Sequence, residues 1–266
     1  MKLKDLSQMF NRAAGHVFAI KKTFFLFLAL IVFGLIFLSL KGIATDTLNW
    51  WRLFLAAIPF FLLIAFLMAT GVFLVKAYVL EREDKPFSVK ETFSSSAKFM
   101  LKAAYFALPL FLAFIVLWVT MGIFILLKSI PYLGPFLGVI LAFVPYVSSI
   151  CILLLFFISL LFLFFLTPLL AFNETVDRNA LIGRLRADLF THILLLGSAF
   201  FPVWIVWLFA SRAITLTFAV YSINDSGVEM ALQSLFMLIP FAAVMALPLT
   251  FFFNFATESY LMTKAD

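Results

Sequence analysis

The side chains able to do acid–base, nucleophilic or metal chemistry are few in this chain and widely separated. His16 and His192 each stand alone at the polar edge of an apolar run. Neither has a second ligand at metal spacing, whereas a zinc site needs three or four His, Cys or carboxylate ligands. No metal and no cofactor is therefore assigned. Cys151 lies inside an apolar stretch, and a lone thiol without a neighbouring base or second cysteine packs as a small hydrophobe. The cluster Glu81-Arg82-Glu83-Asp84 would bind a divalent cation only with Glu174 or Asp177 from another loop. Mixed charge just after an apolar run reads more simply as a solvated helix end. Intramembrane serine chemistry needs a GxSxG-like turn and a buried histidine, and Gly197-Ser198-Ala199 lacks that pattern. Walker A, dinucleotide and zincin motifs do not occur either. No catalytic residue is named, and a non-enzymatic role is expected.

The remaining residues explain why such chemistry is sparse. The 266 residues are 65% hydrophobic and 12% charged, against roughly a quarter charged in soluble domains. Charge-free apolar stretches occupy 23–40, 53–75, 103–127, 129–173, 189–211 and 230–257. Backbone in hydrocarbon must satisfy its own hydrogen bonds, and about 20 apolar residues cross the core as a helix. The fold class is all-α: one integral membrane domain over 1–266, a polytopic bundle with six spans near 23–40, 54–78, 104–127, 147–171, 193–212 and 232–256. The basic leader before the first span is followed by no convincing cleavage site, so that span is read as uncleaved. Within 129–173, Pro131, Gly134, Pro135, Gly138 and Pro145 predict an outer turn. A short re-entrant or interfacial piece at 136–146 and a single span follow it. Gly134 and Gly138 have GxxxG spacing, but beside prolines this reads as turn chemistry rather than a dimerisation face.

Positive charge orients the bundle. Of the 19 Lys and Arg residues, all but Lys41, Arg52, Lys128 and Arg212 fall on one side of the six-span arrangement. With loops this short, that side is cytoplasmic. The expected location is the inner membrane, multi-pass, with both termini cytoplasmic. Trp50, Trp51, Tyr132, Tyr146 and Tyr221 serve as outer aromatic anchors, and Tyr78, Tyr105 and Tyr260 as inner ones. The net charge of +6 then reflects topology and attraction to anionic lipids, not nucleic acid. None of the 13 acidic residues falls mid-span, which argues against proton or cation coupling. Lys76 sits near the inner end of the second span, within reach of the head groups. Arg212 anchors the outer end of the fifth span, or becomes an intramembrane polar site if that helix begins later and runs to Val220. Pro59, Pro109, Pro168, Pro202, Pro240 and Pro248 predict helix breaks in five spans, with Thr167, Thr250 and Asn254 as the polar side chains nearby. An apolar cargo needs no buried charge. A transporter or transport subunit for a lipid-like or small apolar solute is thus the alternative function.

Three inner segments carry helical apolar spacing. The first aligns Leu3, Leu6, Phe10, Ala14 and Val17; the second Val89, Phe93, Ala97 and Met100; the third Leu181, Ile182, Leu185 and Leu189. Each is expected to lie on the inner leaflet, with Lys4, Arg12, Lys90, Lys98, Lys102, Arg184 and Arg186 contacting lipid head groups. Each precedes a pair of spans, which predicts a pseudo-threefold repeat with units near 1–80, 81–172 and 173–260. The segments Lys85-Pro86-Phe87-Ser88-Val89 and Thr167-Pro168-Leu169-Leu170-Ala171-Phe172-Asn173-Glu174 complete the pattern. It resembles the membrane domain that precedes the catalytic domain in some bacterial glycerophosphodiester phosphodiesterases, and its stand-alone inner-membrane relatives. These residues include no counterpart of the catalytic domain, so the resemblance implies no hydrolase activity. The function expected is a lipid-associated, scaffold or accessory role in envelope organisation, with anionic lipids and other membrane proteins as partners.

Overall fold

The computed structural model describes residues 3–46, 51–86, 88–172, 189–221 and 227–265, and all regular structure among them is helical. In chain order the helices are α1 (Leu3–Gly15), α2 (Ile20–Asp46), α3 (Trp51–Arg82), α4 (Val89–Phe106), α5 (Leu108–Lys128), α6 (Gly134–Ile140) and α7 (Phe143–Leu161). A π-helical turn (Phe162–Leu166), α8 (Thr167–Ala171), α9 (Leu189–Tyr221) and α10 (Gly227–Ala265) complete the set. Six stretches are long and apolar enough to cross a membrane: Ile20–Leu40, Leu62–Arg82, Val89–Lys128, Phe143–Ala171, Phe190–Thr217 and Leu232–Met262. The chain is a multi-pass helical membrane protein.

The bundle is organised on α3 and α10. In the most apolar stretch of α3, 56% of residues are buried, against 6% in α2. Met68, Val72, Phe73, Leu74 and Val75 of α3 share the core with Phe252, Phe253 and Phe255 of α10 and with Phe164 and Leu170. Lipid tails are as apolar as these side chains, so helices associate through close packing rather than water exclusion. Two glycines show where that packing is tightest. A Cβ on Gly71 would stand 2.3 Å from the Phe253 ring and 2.7 Å from the Thr167 methyl. One on Gly34 would stand 2.2 Å from Leu238.

Several expectations change. Pro59, Pro202, Pro240 and Pro248 lie inside continuous helices, because packed neighbours hold a membrane helix together despite the lost donor. Pro109 sits in the first turn of α5, where a missing N–H costs nothing. Pro168 opens α8, directly after the π-helical turn. Between α5 and α7, α6 covers 134–140 and α7 already begins at Phe143, so the short piece ends earlier than 146. Gly134 is a close backbone approach within one chain: a Cβ there would lie 2.1 Å from the Lys128 carbonyl oxygen. Tyr132 takes φ 66° in this turn.

The pre-span helices also differ from expectation. Met9, Ala13 and Val17 are the buried residues of α1, while Phe10 remains exposed beside Phe251. Helix α1 lies against α10, so its apolar stripe packs on protein. In α4 the residues buried in the bundle are Thr92, Ser96 and Ala103, while Phe93 of the apolar stripe is exposed. These small side chains allow a close approach to α3. The third amphipathic segment lies outside the described residues.

Gly71→Val is expected to lower stability by about 1–3 kcal/mol through overpacking. Gly197→Ala, where nothing lies within 4 Å of the added carbon, should be neutral or stabilising by up to about 1 kcal/mol. Thermal unfolding of the two purified variants in one detergent checks the contrast.

Candidate functional site

Four helices bring ionisable groups together at the end of the bundle where α1 lies against the last turns of α10. Helix α10 supplies Asn254 and Glu258, four residues apart and so on one face. Helix α3 supplies Tyr78, Glu81 and Arg82 from its last turn and a half. That helix ends with Asp84 at φ 52° and the Lys85 N–H donating to the Leu80 carbonyl at 2.9 Å. This is the left-handed C-terminal closure that glycine usually provides. Helix α1 supplies Arg12. In the turn after it, the Val17 N–H donates to the Ala14 carbonyl and the Thr23 hydroxyl donates to the Val17 carbonyl at 2.8 Å. The turn places Lys22 at the start of α2 against the other three helices.

Glu258 is fully buried. Its Oε1 accepts a hydrogen bond from the Tyr78 hydroxyl at 2.9 Å and lies 3.1 Å from the Arg82 Nε. Its Oε2 lies 3.7 Å from an Arg12 guanidinium nitrogen and accepts no hydrogen bond among the described residues. One helical turn away, Lys22 is also fully buried. The Lys22 ammonium donates to Glu81 Oε2 at 2.5 Å and to Asn254 Oδ1 at 3.4 Å. The Asn254 amide in turn donates to the backbone carbonyl of Ala13 at 3.1 Å. Tyr78 links the two halves: the Lys22 ammonium stands 5.1 Å from its ring centre, and the His16 ring meets it edge-on at 5.5 Å.

Three cations and two carboxylates thus meet in one place. Each charge at low dielectric carries a desolvation cost that only its partners offset. Lys22 and Glu258 expose no surface, so what they can do is hold helices in register. The Arg12 and Arg82 side chains, 56% and 37% exposed, connect the buried carboxylate to the aqueous face.

Sequence reasoning places little of this. Tyr78 was expected to be an interfacial anchor, but it is buried because its hydroxyl has Glu258 as a partner. Tyr105 is exposed, and Tyr260 stacks on Phe172 at 5.1 Å. Glu81 accepts from the buried Lys22 ammonium, where the sequence predicts only a solvated helix end, while Glu174 and Asp177 lie outside the described residues. Of the expected lipid contacts, Arg12 faces Glu258, and Lys90, Lys98 and Lys102 are exposed on α4. The side chain of Lys4 and the residues Arg184 and Arg186 lie outside the description. Arg212 is exposed on α9, about 35 Å along the axis from Leu189. That distance exceeds the roughly 30 Å hydrocarbon thickness.

Glu81→Gln should destabilise the protein by about 3–5 kcal/mol, because it leaves the Lys22 ammonium buried without a carboxylate. The double variant Lys22→Met/Glu81→Gln should recover most of that loss. Glu258→Gln should raise deuterium uptake across 3–15 while leaving α7 unchanged. Thermal unfolding and hydrogen exchange on the three proteins decide the matter, and a neutral Glu81→Gln would contradict the coupling. No family model, no curated protein and no solved structure matches the chain.

Proposed function

We propose that the protein is a non-enzymatic, lipid-associated scaffold of a bacterial-type inner membrane, with its charged end in the cytoplasm and its lysines on anionic head groups. The outer face of α4 carries this reading. Lys98, Leu101, Lys102 and Tyr105 follow one another at helical spacing, and Leu101 and Tyr105 are 75% and 72% exposed. Lys90 is exposed two turns earlier. In water such a face would leave large apolar groups unsatisfied. At a bilayer surface the leucine and tyrosine meet the acyl boundary while the lysines stay among the phosphates. Only Ala107 separates α4 from α5, so this face enters the membrane together with the span.

Each lysine near an anionic surface contributes roughly 1 kcal/mol. Replacing Lys90, Lys98 and Lys102 together by glutamine should therefore weaken association with phosphatidylglycerol by about ten- to a hundredfold, with zwitterionic lipid unaffected. Lipid retained by the purified triple variant, measured by native mass spectrometry, tests this; retention equal to the parent's would overturn it.

Orientation has a separate check. A reporter that fluoresces only in the cytoplasm should be bright when fused after Asp266 and dark when inserted between Ser129 and Pro131.

One observation favours the alternative of moving a lipid-like or small apolar solute. The π-helical turn at Phe162–Leu166 is followed by Thr167, fully buried with its hydroxyl unpartnered among the described residues. Such turns are frequent at functional sites. Transfer of a labelled lipid across vesicles containing the protein would favour that alternative over the scaffold.

A further inference from the structure

Resting on the lipid-associated reading, we propose that the cavity between α3, α4 and the end of α8 binds one anionic phospholipid, its phosphate on the Lys76 ammonium and its apolar part against the walls. The cavity measures about 250 Å³ and is lined by Val75, Lys76, Val79, Leu80, Thr92, Ser95, Ala171 and Phe172.

The Lys76 amine donates one hydrogen bond, to the Ser95 carbonyl at 3.2 Å, and sits 4.1 Å from the centre of the Phe99 ring. An ammonium has three donors. No carboxylate pairs with Lys76 among the described residues, whereas Lys22 at the same end of the bundle has Glu81. The site therefore offers a held positive charge with donors to spare.

The walls select what accompanies the anion. The recess is partly open and its lining is mostly apolar, with Lys76, Thr92 and Ser95 as the polar residues, so water against its walls finds few of the two to four partners that an ordered water takes. Ser95 moreover directs its hydroxyl to the Thr92 carbonyl at 3.1 Å. Val75, Val79, Leu80, Ala171 and Phe172 instead present apolar surface. An amphiphile with one anionic group satisfies both parts of the site, and free phosphate satisfies only the lysine. Position agrees with this occupant: Lys76 precedes Arg82 by six residues, about 9 Å along α3. The amine thus lies just below the charged end, where the phosphates and glycerol groups of one leaflet would stand.

The test uses the full chain in an uncharged detergent, stripped of lipid and titrated with short-chain phosphatidylglycerol, phosphatidylcholine or inorganic phosphate. Adducts are read by native mass spectrometry. One phosphatidylglycerol per chain should be retained at least tenfold more tightly than phosphatidylcholine and should resist excess inorganic phosphate. Lys76→Gln should abolish this preference and Lys76→Arg should restore it. Val79→Trp, which fills the cavity and keeps the charge, should remove the adduct. Displacement by phosphate alone, or an adduct unchanged in Lys76→Gln and Val79→Trp, would overturn the proposal. The triple lysine variant of α4 separates the two readings. Its loss of loosely held lipid with the single tight adduct intact supports this site. A tight adduct that disappears there and survives Lys76→Gln assigns the lipid to the α4 surface instead.

Discussion

A charge withdrawn from water must be paired, and in this bundle two such charges fix where the helices meet. Lys22 and Glu258 have no exposed surface, so each position is acceptable only while Glu81, Asn254, Tyr78, Arg12 and Arg82 stay in place. The partners come from different helices, which makes the cluster a register device rather than a sum of local bonds. The Asn254 side chain, for example, joins the Lys22 ammonium to the Ala13 carbonyl. Removing Glu81 strands the buried Lys22 ammonium, which has only the longer contact to Asn254 left among the contacts described above. The apolar remainder of the bundle cannot impose register so strictly, since Phe and Leu side chains tolerate sliding and repacking.

Close approach supplies the second constraint. Between helices in lipid there is little hydrophobic gain, so contact depends on small residues that let backbones converge. Gly71 against Phe253 and Thr167, and Gly34 against Leu238, set two crossings of α10. Thr92, Ser96 and Ala103 do the same for α4 on α3. The polar cluster and these contacts act at different depths along α3, with Gly71 near the middle of its apolar stretch and Tyr78, Glu81 and Arg82 at its end. Together they fix the tilt as well as the register of the helix on which both halves of the bundle rest.

The spans were legible in the sequence because length and charge exclusion are properties of single segments. The cluster was not, because its pairing exists only between segments. Glu258 falls two residues beyond a span drawn by hydropathy to 256, where it reads as the first charged residue of a tail. Yet a signal was present: Thr250, Asn254, Thr257 and Glu258 recur at helical spacing through a phenylalanine-rich helix, and all four are buried. A polar stripe on an apolar span marks the side facing other helices. Lys22 gave no such sign, since beside Lys21 it is indistinguishable from a topology determinant. The packing of α1 and α4 on protein was hidden for a related reason, since a segment's own spacing does not say whether its partner is lipid or another helix. On α4, Leu101 and Tyr105 are exposed, the small Thr92, Ser96 and Ala103 are buried, and Val89, Phe99 and Met100 pack partly buried against the core.

Packing through small residues also accounts for the recess beside Lys76. A helix that packs through threonine and serine can approach closely, but it cannot fill every recess opposite valines. Along α4 the stripe is closed by Ala103 and Ala107, both fully buried. Around Thr92 and Ser95, beside the end of α8, a partly open recess with a mostly apolar lining remains. Within a bilayer the nearest material able to fill it is lipid, and the one charge at its edge is positive. The same small residues that bring α4 onto α3 therefore create a recess whose most economical occupant is an anionic lipid. The exposed lysines of α4 would gather such lipids at its entrance.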